Sequence, residues 1–261
     1  MAQVSSISRV GTTEPFYLQV ARNQISFHKS NFKFGFNADV DDSLETVWAQ
    51  GGLYSYLASA SVLKVSSSST ADTSAGTGAR TVELSGLDTN YDEISETVTL
   101  NGQTAVNTTN EFLRINRMVV RSAGSGGQNA GVIYAGTGTV TTGVPANKYA
   151  TIAIGDNQTV MALWTVPRGY TAYLLQSDIT VATTQNNKYC TVHLVSRPDG
   201  EVFQIKDKFV KAESSVHQAY TIPLKFEEKT DIEVRAIGDS AGADIAISAG
   251  LDIIYIQNDG A

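Results

Sequence analysis

The sequence has little of the material from which catalytic and metal sites are usually built. Its 261 residues include one cysteine and three histidines. A lone cysteine, Cys190, excludes an internal disulfide framework and a thiolate metal cage. His28, His193 and His217 offer few imidazole ligands. We therefore expect no cofactor, and composition argues against an enzyme.

Charge is also scarce. Charged residues make up 17% of the chain, against about 25% in ordinary globular domains. Lys and Arg total 19 and Asp and Glu total 26, so the net charge is −7. An acidic chain does not attract phosphate backbones, so no nucleic-acid partner is expected.

Long apolar segments are missing as well. No apolar run approaches the roughly 18 residues of a membrane span, so no membrane partner is expected. The first residues also lack the apolar segment of a secretory signal.

Ser, Thr, Gly and Asn are abundant instead, which favours short strands joined by turns. Asn101-Gly102 lies between two alternating runs, the strongest short hairpin signal. Pro167 to Gly169 and Pro198 to Gly200 fit further tight turns. The sequence predicts an all-β fold, with two antiparallel β-sandwich or jelly-roll-like halves, an extended N-terminal arm and at most one or two short helices. No repeat of roughly 20–50 residues is visible, which argues against a propeller.

The predicted division is an N-terminal arm over 1–32, a first β-rich domain over 33–156 and a C-terminal β-sandwich domain over 157–261. Residues 16–20 fit one short strand. Ser43, Glu45 and Thr46 fit the start of a helical turn that ends at Gly51-Gly52.

Aromatic residues near the N-terminus are the candidate contact residues. Phe16, Tyr17 and Phe27 are scattered through the arm. Phe32, Phe34 and Phe36 recur at period two, which places three rings on one face of a strand. The arm is interpreted either as an ordered tail on its own domain or as a segment laid on a neighbouring subunit. Exposed aromatic patches usually mark contact surfaces.

Two motifs invite a chemical interpretation. Asp39, Asp41 and Asp42 form a loose calcium candidate, although the glycine and the final glutamate of an EF-hand loop are missing. A solvated, turn-forming Asp cluster is the favoured interpretation. Ser240 stands in a G-x-S-x-G pattern, but β-type alternation follows it where a hydrolase has a helix. No set of nucleophile, base and orienting group is recognisable.

Several segments resemble a family of tailed-bacteriophage virion structural proteins of the capsid decoration, cement or head-fibre type. The first is an acidic stretch leading to Trp48 and paired glycines. The other segments of the resemblance are residues 76–81, 86–102, 112–117, 157–159 and 166–167. The resemblance extends over about residues 15–257.

The resemblance implies a non-catalytic protein on the outer capsid surface of a virion, made in the host bacterial cytoplasm and stabilising the shell. The implied partners are the major capsid protein or other virion proteins. Closed symmetry is the default for repeated subunits, so we also expect contacts between copies of the chain itself, as a homotrimer. One alternative is a tail- or fibre-associated protein that binds host-surface carbohydrate through loops 122–131, 184–190 and 238–243. A more remote alternative is a serine hydrolase at Ser240.

Overall fold

A computed structural model describes residues 14–185, 187–241 and 244–258. These ranges contain one short helix, α1 (Phe16–Ala21), and sixteen strands. The strands before residue 157 are β1 (His28–Val40), β2 (Glu45–Thr46), β3 (Ser61–Ser67), β4 (Ala79–Leu87), β5 (Glu93–Thr99), β6 (Val106–Phe112), β7 (Arg114–Ala123), β8 (Ile133–Thr141) and β9 (Val144–Ile152). The later strands are β10 (Leu163–Thr165), β11 (Tyr170–Thr183), β12 (Cys190–Arg197), β13 (Gln204–Lys211), β14 (Ser214–Phe226), β15 (Asp231–Gly238) and β16 (Ile245–Gln257). No helix in the described ranges is long and apolar enough to cross a membrane.

The strands form four small antiparallel sheets. Sheet 1 has the order β1-β16-β11-β14, and sheet 2 has the order β10-β15-β12-β13 with β2 beside β15. Sheet 3 has the order β6-β3-β8-β9, and sheet 4 has the order β5-β4-β7. The all-β prediction is confirmed, and so is the small helix content.

The four sheets are arranged as a four-bladed, propeller-like ring rather than clearly as two jelly rolls. The missing sequence repeat pointed away from this arrangement. The blades differ in strand number, and sheet 1 combines the first strand of the chain with the last. Unequal blades built from distant segments leave no sequence period to detect.

Two hydrophobic cores lie between the sheets. Leu174, Val192 and Leu251 belong to the core that sheets 1 and 2 share. Leu84 and Ile133 belong to the core that sheets 3 and 4 share. Each of these five side chains is almost completely buried, and burial of one such side chain contributes about 1.5–3 kcal/mol.

Two local predictions are wrong. Residues 16–21 form a helix rather than a strand. Pro15 is its N-cap residue, the Pro15 carbonyl accepts a hydrogen bond from the Gln19 N–H at 3.1 Å, and Gln19 and Val20 are buried. Glu45 lies in β2 and not in a helical turn. Its carboxylate instead accepts hydrogen bonds from the backbone N–H groups of Asp41 and Gly52, which holds the segment extended.

Strand pairing crosses the first predicted domain boundary. Strand β1 begins before residue 33 and pairs along its length with β16. Met161 and Leu163 in turn pack in the core of sheets 3 and 4. Pairing does not measure independent folding, so the divisions at 32/33 and 156/157 stay predictions. Residues 1–13 of the predicted arm lie outside the described residues.

Candidate contact face on sheet 1

Strand β1 has one buried and one solvent-facing side. Lys33, Gly35 and Asn37 point inward and are buried. Phe32, Phe34 and Phe36 share the outer side, as the period-two spacing predicts. Phe32 is 53% exposed and Phe36 is 42% exposed. Aromatic side chains this large are normally covered, so their exposure makes this side a candidate contact surface.

Small neighbours on β16 provide the floor beneath these rings. Phe34 pairs with Gly250, and Phe36 pairs with Ser248. The ring of Phe32 lies so close to Gly250 that a Cβ at residue 250 would be 3.2 Å from two of its carbons. Phe32 also stacks on Phe34, with 5.8 Å between ring centroids and 23° between planes. The rings therefore pack on the sheet while one side of the group stays open.

Helix α1 brings a further ring to this surface. Tyr17 is 60% exposed and lines, together with Phe32, a groove of about 510 Å³ on sheet 1. We call Tyr17, Phe32, Phe34 and Phe36 the aromatic face. Phe16 contacts Tyr17 edge-to-face at 5.5 Å between centroids. Phe27 is 67% exposed in the turn before β1.

The inner side of β1 holds a buried amine. Lys33 is 6% exposed, and its Nζ donates to the backbone oxygen of Asn116. Burial and the nearby charge of Arg117 lower the pKa of Lys33 to about 7. Lys33 also borders a cleft of about 370 Å³ between β1 and sheet 4. The amine therefore titrates near neutral pH at the junction of two sheets.

The acidic loop after β1 is organised by a carboxylate. Glu45 accepts hydrogen bonds from Asn37 Nδ2, at 3.0 Å, and from the backbone of Asp41 and Gly52. Within the described ranges, no group of three or more His, Cys, Asp or Glu side chains is placed to hold a metal ion. We therefore assign no metal ligands among Asp39, Asp41 and Asp42, and the calcium site stays a prediction.

Ser240 lies in the turn between β15 and β16, close to a lysine. Its Oγ accepts a hydrogen bond from Lys188 Nζ, and the same ammonium lies 3.9 Å from Asp239. His217 is paired with Asp178 instead, at 2.6 Å. The described residues thus place a cation on Ser240 where the predicted chemistry requires an imidazole base. Gly242, the last residue of the motif, lies outside the described residues.

The sequence reasoning missed a ladder of cations and rings between sheets 2 and 4. Lys229, Arg114, Arg197 and Arg235 alternate with aromatic rings, at 4.0–5.7 Å from the ring centroids. The rings are those of Tyr91, Tyr56 and Phe203. Arg114 and Arg197 both pair with Asp231, and Arg235 pairs with Glu233. Single arginines and tyrosines far apart in sequence carried no signal of this arrangement.

The fold and this surface define an all-β protein with an exposed aromatic face. No protein-family model matches the chain, and no curated protein matches it. One structure of infectious bursal disease virus, Gt strain, is 12% identical, with 90% of this chain and 74% of that chain covered at a TM-score of 0.24. The Gx strain structure is 11% identical, with 89% and 71% covered at the same TM-score. A TM-score of 0.24 is too low to support any conclusion about the fold or the function of this chain.

Proposed function

We propose that this protein is a non-catalytic structural component of a bacteriophage virion, bound to the outer capsid surface as a decoration or cement protein. The observation that carries the proposal is the aromatic face. Phe32, Phe34 and Phe36 lie on the outer side of β1, Tyr17 joins them from α1, and Phe32 and Tyr17 are more than half exposed. The segment resemblance described above supports the virion as the location of the partner.

The face has the physical properties of a protein contact. Aromatic rings bring a large apolar area at a small cost in side-chain entropy, and they are enriched where interfaces are most tightly packed. The major capsid protein is the proposed partner, and three copies of the chain form the proposed homotrimer. A protein that binds the assembled shell, but not its free subunits, shifts the equilibrium toward the intact shell.

Binding to particles tests the proposal. Purified protein is mixed with capsids that lack it, and the bound fraction is measured after sedimentation. We expect saturable binding and a higher disruption temperature of the particles. Deletion of residues 1–30 is a poor test, because it also removes α1 and the first residues of β1, which pair with β16.

The paired variant F32S/F36S is the sharper test, with V210S as its control. Phe32 and Phe36 lie on the aromatic face, whereas Val210 is an even more exposed residue, at 62%, of edge strand β13. The proposal expects the paired variant to lose particle binding and the control to keep it. Equal binding by both variants would contradict it.

The second candidate function is carbohydrate binding by a tail- or fibre-associated protein, and one exposed ring supports it. Tyr189 is 46% exposed beside the turn that carries Asp239, whose N–H donates to the Tyr189 carbonyl oxygen at 3.1 Å. A glycan-array signal that is lost in Tyr189→Ala would favour this role over a shell-binding one.

A further inference from the structure

The groove beside the aromatic face contains a carboxylate, that of Asp252. Asp252 lies opposite Phe32 on one side and opposite Gln176 on the other, so the three side chains share a row on the outer side of sheet 1. Gln176 Nε2 donates to Asp252 Oδ2 at 2.5 Å. None of the described residues that line the groove is a lysine, arginine or histidine.

The surroundings of Asp252 are electronegative. Burial raises the pKa of Asp252, and the Asp178 carboxylate raises it further, whereas His217 acts in the opposite direction. His217 is itself held by Asp178. The charge of Asp252 is therefore partly desolvated. The amide of Gln176 stabilises it, and His217 contributes less, so the site favours a positive ligand.

Elsewhere in the molecule the same combination of carboxylate and ring is completed by a cation. Lys29 pairs with Glu93 at 2.6 Å and lies 4.7 Å from the ring centroid of Tyr170. Arg235 pairs with Glu233 at 2.9 Å and lies 4.0 Å from the centroid of Phe203.

A third example is Arg114, which pairs with Asp231 at 2.8 Å and lies 5.0 Å from the centroid of Tyr56. The groove, by contrast, is lined by the Asp252 carboxylate and by Tyr17 and Phe32. No cation–ring contact in the described residues involves Tyr17 or Phe32.

We infer that the groove binds an arginine side chain of the capsid partner, with Asp252 as its counter-charge and Phe32 and Tyr17 against its planar guanidinium. Arginine fits better than lysine because its flat, weakly hydrated group stacks on rings while it donates to a carboxylate. A cation-seeking pocket on a chain of net charge −7 also favours a basic partner segment. The identity of the partner rests on the proposed function, whereas the ligand chemistry rests on the groove alone.

The first experiment uses the full chain and a small probe. N-acetyl-arginine amide is titrated into the isotope-labelled protein, and the backbone amide resonances are followed by NMR. N-acetyl-citrulline amide, which replaces the guanidinium by a neutral group of the same shape, is the matched probe. We expect saturable shifts at Phe32, Gln176 and Asp252 with the arginine probe, at about millimolar affinity, and binding about tenfold weaker with the citrulline probe.

Variants locate the effect. Asp252→Asn keeps an oxygen that accepts from Gln176 but removes the charge, so we expect arginine binding to weaken about tenfold or more. Asp156→Asn makes the same change at an exposed residue outside the groove and is expected to change nothing. Equal binding of the two probes, or unchanged binding by Asp252→Asn, would overturn the inference.

Particle binding separates this inference from the proposed function. If Asp252→Asn binds particles about tenfold more weakly and Asp156→Asn binds them like the parent protein, the inference and the proposed function are both supported. If both variants bind particles like the parent protein, an arginine of the capsid is not the ligand, and the inference fails while the proposed function stands. If the parent protein binds the arginine probe but not particles, the proposed function fails and the partner assignment fails with it.

Discussion

Arg114 and Asp231 form a two-pronged ion pair that joins β7 to β15, with Nε to Oδ1 at 2.8 Å and Nη2 to Oδ2 at 3.1 Å. The Arg114 side chain is 8% exposed and that of Asp231 is 3% exposed. Arg197 and Thr165 donate to the same carboxylate. Asp231 is thus the shared acceptor at which sheets 2 and 4 meet.

Asp231→Asn is predicted to be strongly destabilising. It leaves the buried Arg114 guanidinium without its counter-charge, so we expect a loss of about 3–5 kcal/mol in the free energy of unfolding. Asp92→Asn is the matched control, because Asp92 makes the same two-pronged contact to Arg168 in an exposed pair. There the expected loss is below about 1 kcal/mol. Urea unfolding measures both, and equal losses would contradict this explanation.

Lys33 is predicted to make stability depend on pH above neutrality. Its folded-state pKa is lowered to about 7, whereas the unfolded chain has the ordinary value near about 10.4. Between these values the unfolded state binds more protons, so the free energy of unfolding rises with pH, by about 2 kcal/mol from pH 7 to pH 9. The cost of burying the charged Lys33 amine is therefore fully present below about pH 7 and decreases as the pH rises above that value.

Lys33→Met removes this titration. We expect the variant to be more stable than the parent protein at pH 7 and to show a flatter pH profile between pH 7 and 9. Lys206→Met, at an exposed position of β13, is the control and should keep the parent slope. A parent protein whose stability does not change over this range would be inconsistent with a buried amine at residue 33.

Gly35 is predicted to be intolerant of any side chain. A Cβ there would lie 2.2 Å from the backbone nitrogen of Ala162 and 2.3 Å from the carbonyl oxygen of Val47. These two atoms are hydrogen-bonded to each other at 2.9 Å, so neither can give way cheaply. We expect Gly35→Ala to cost about 3 kcal/mol or more.

Gly127→Ala is the control for Gly35→Ala. Gly127 has a φ of +68° and open space around its Cα, so alanine there meets backbone strain without a clash. The expected cost is about 1 kcal/mol. Thermal unfolding compares the two variants, and a smaller loss for Gly35→Ala than for Gly127→Ala would be the contrary outcome.

The proposed trimer predicts a specific mass. Native mass spectrometry of the purified chain should give three times the 27.9 kDa of one copy. Oligomers of this kind normally close by rotational symmetry, so a single discrete species is expected. A monomer at micromolar concentration would refute the trimer but leave the shell-binding proposal open to the particle experiment.

Local patterns explain which features the sequence predicted. The period of two over Phe32, Phe34 and Phe36 is a property of any strand, so their common face followed directly. The helix at Phe16–Ala21 was missed because six residues give too little periodicity to separate helix from strand. The ladder around Arg114 was missed because it depends on the register of strands more than a hundred residues apart, which no local pattern encodes.

Cryo-electron microscopy of intact particles, with and without this protein, tests the central proposal most directly. The account predicts added density on the outer shell, with sheet 1 turned toward the capsid so that Phe32 and Phe36 are covered. Density confined to the tail would contradict the decoration role. Density on the shell with the aromatic face turned toward solvent would contradict the contact assigned to it.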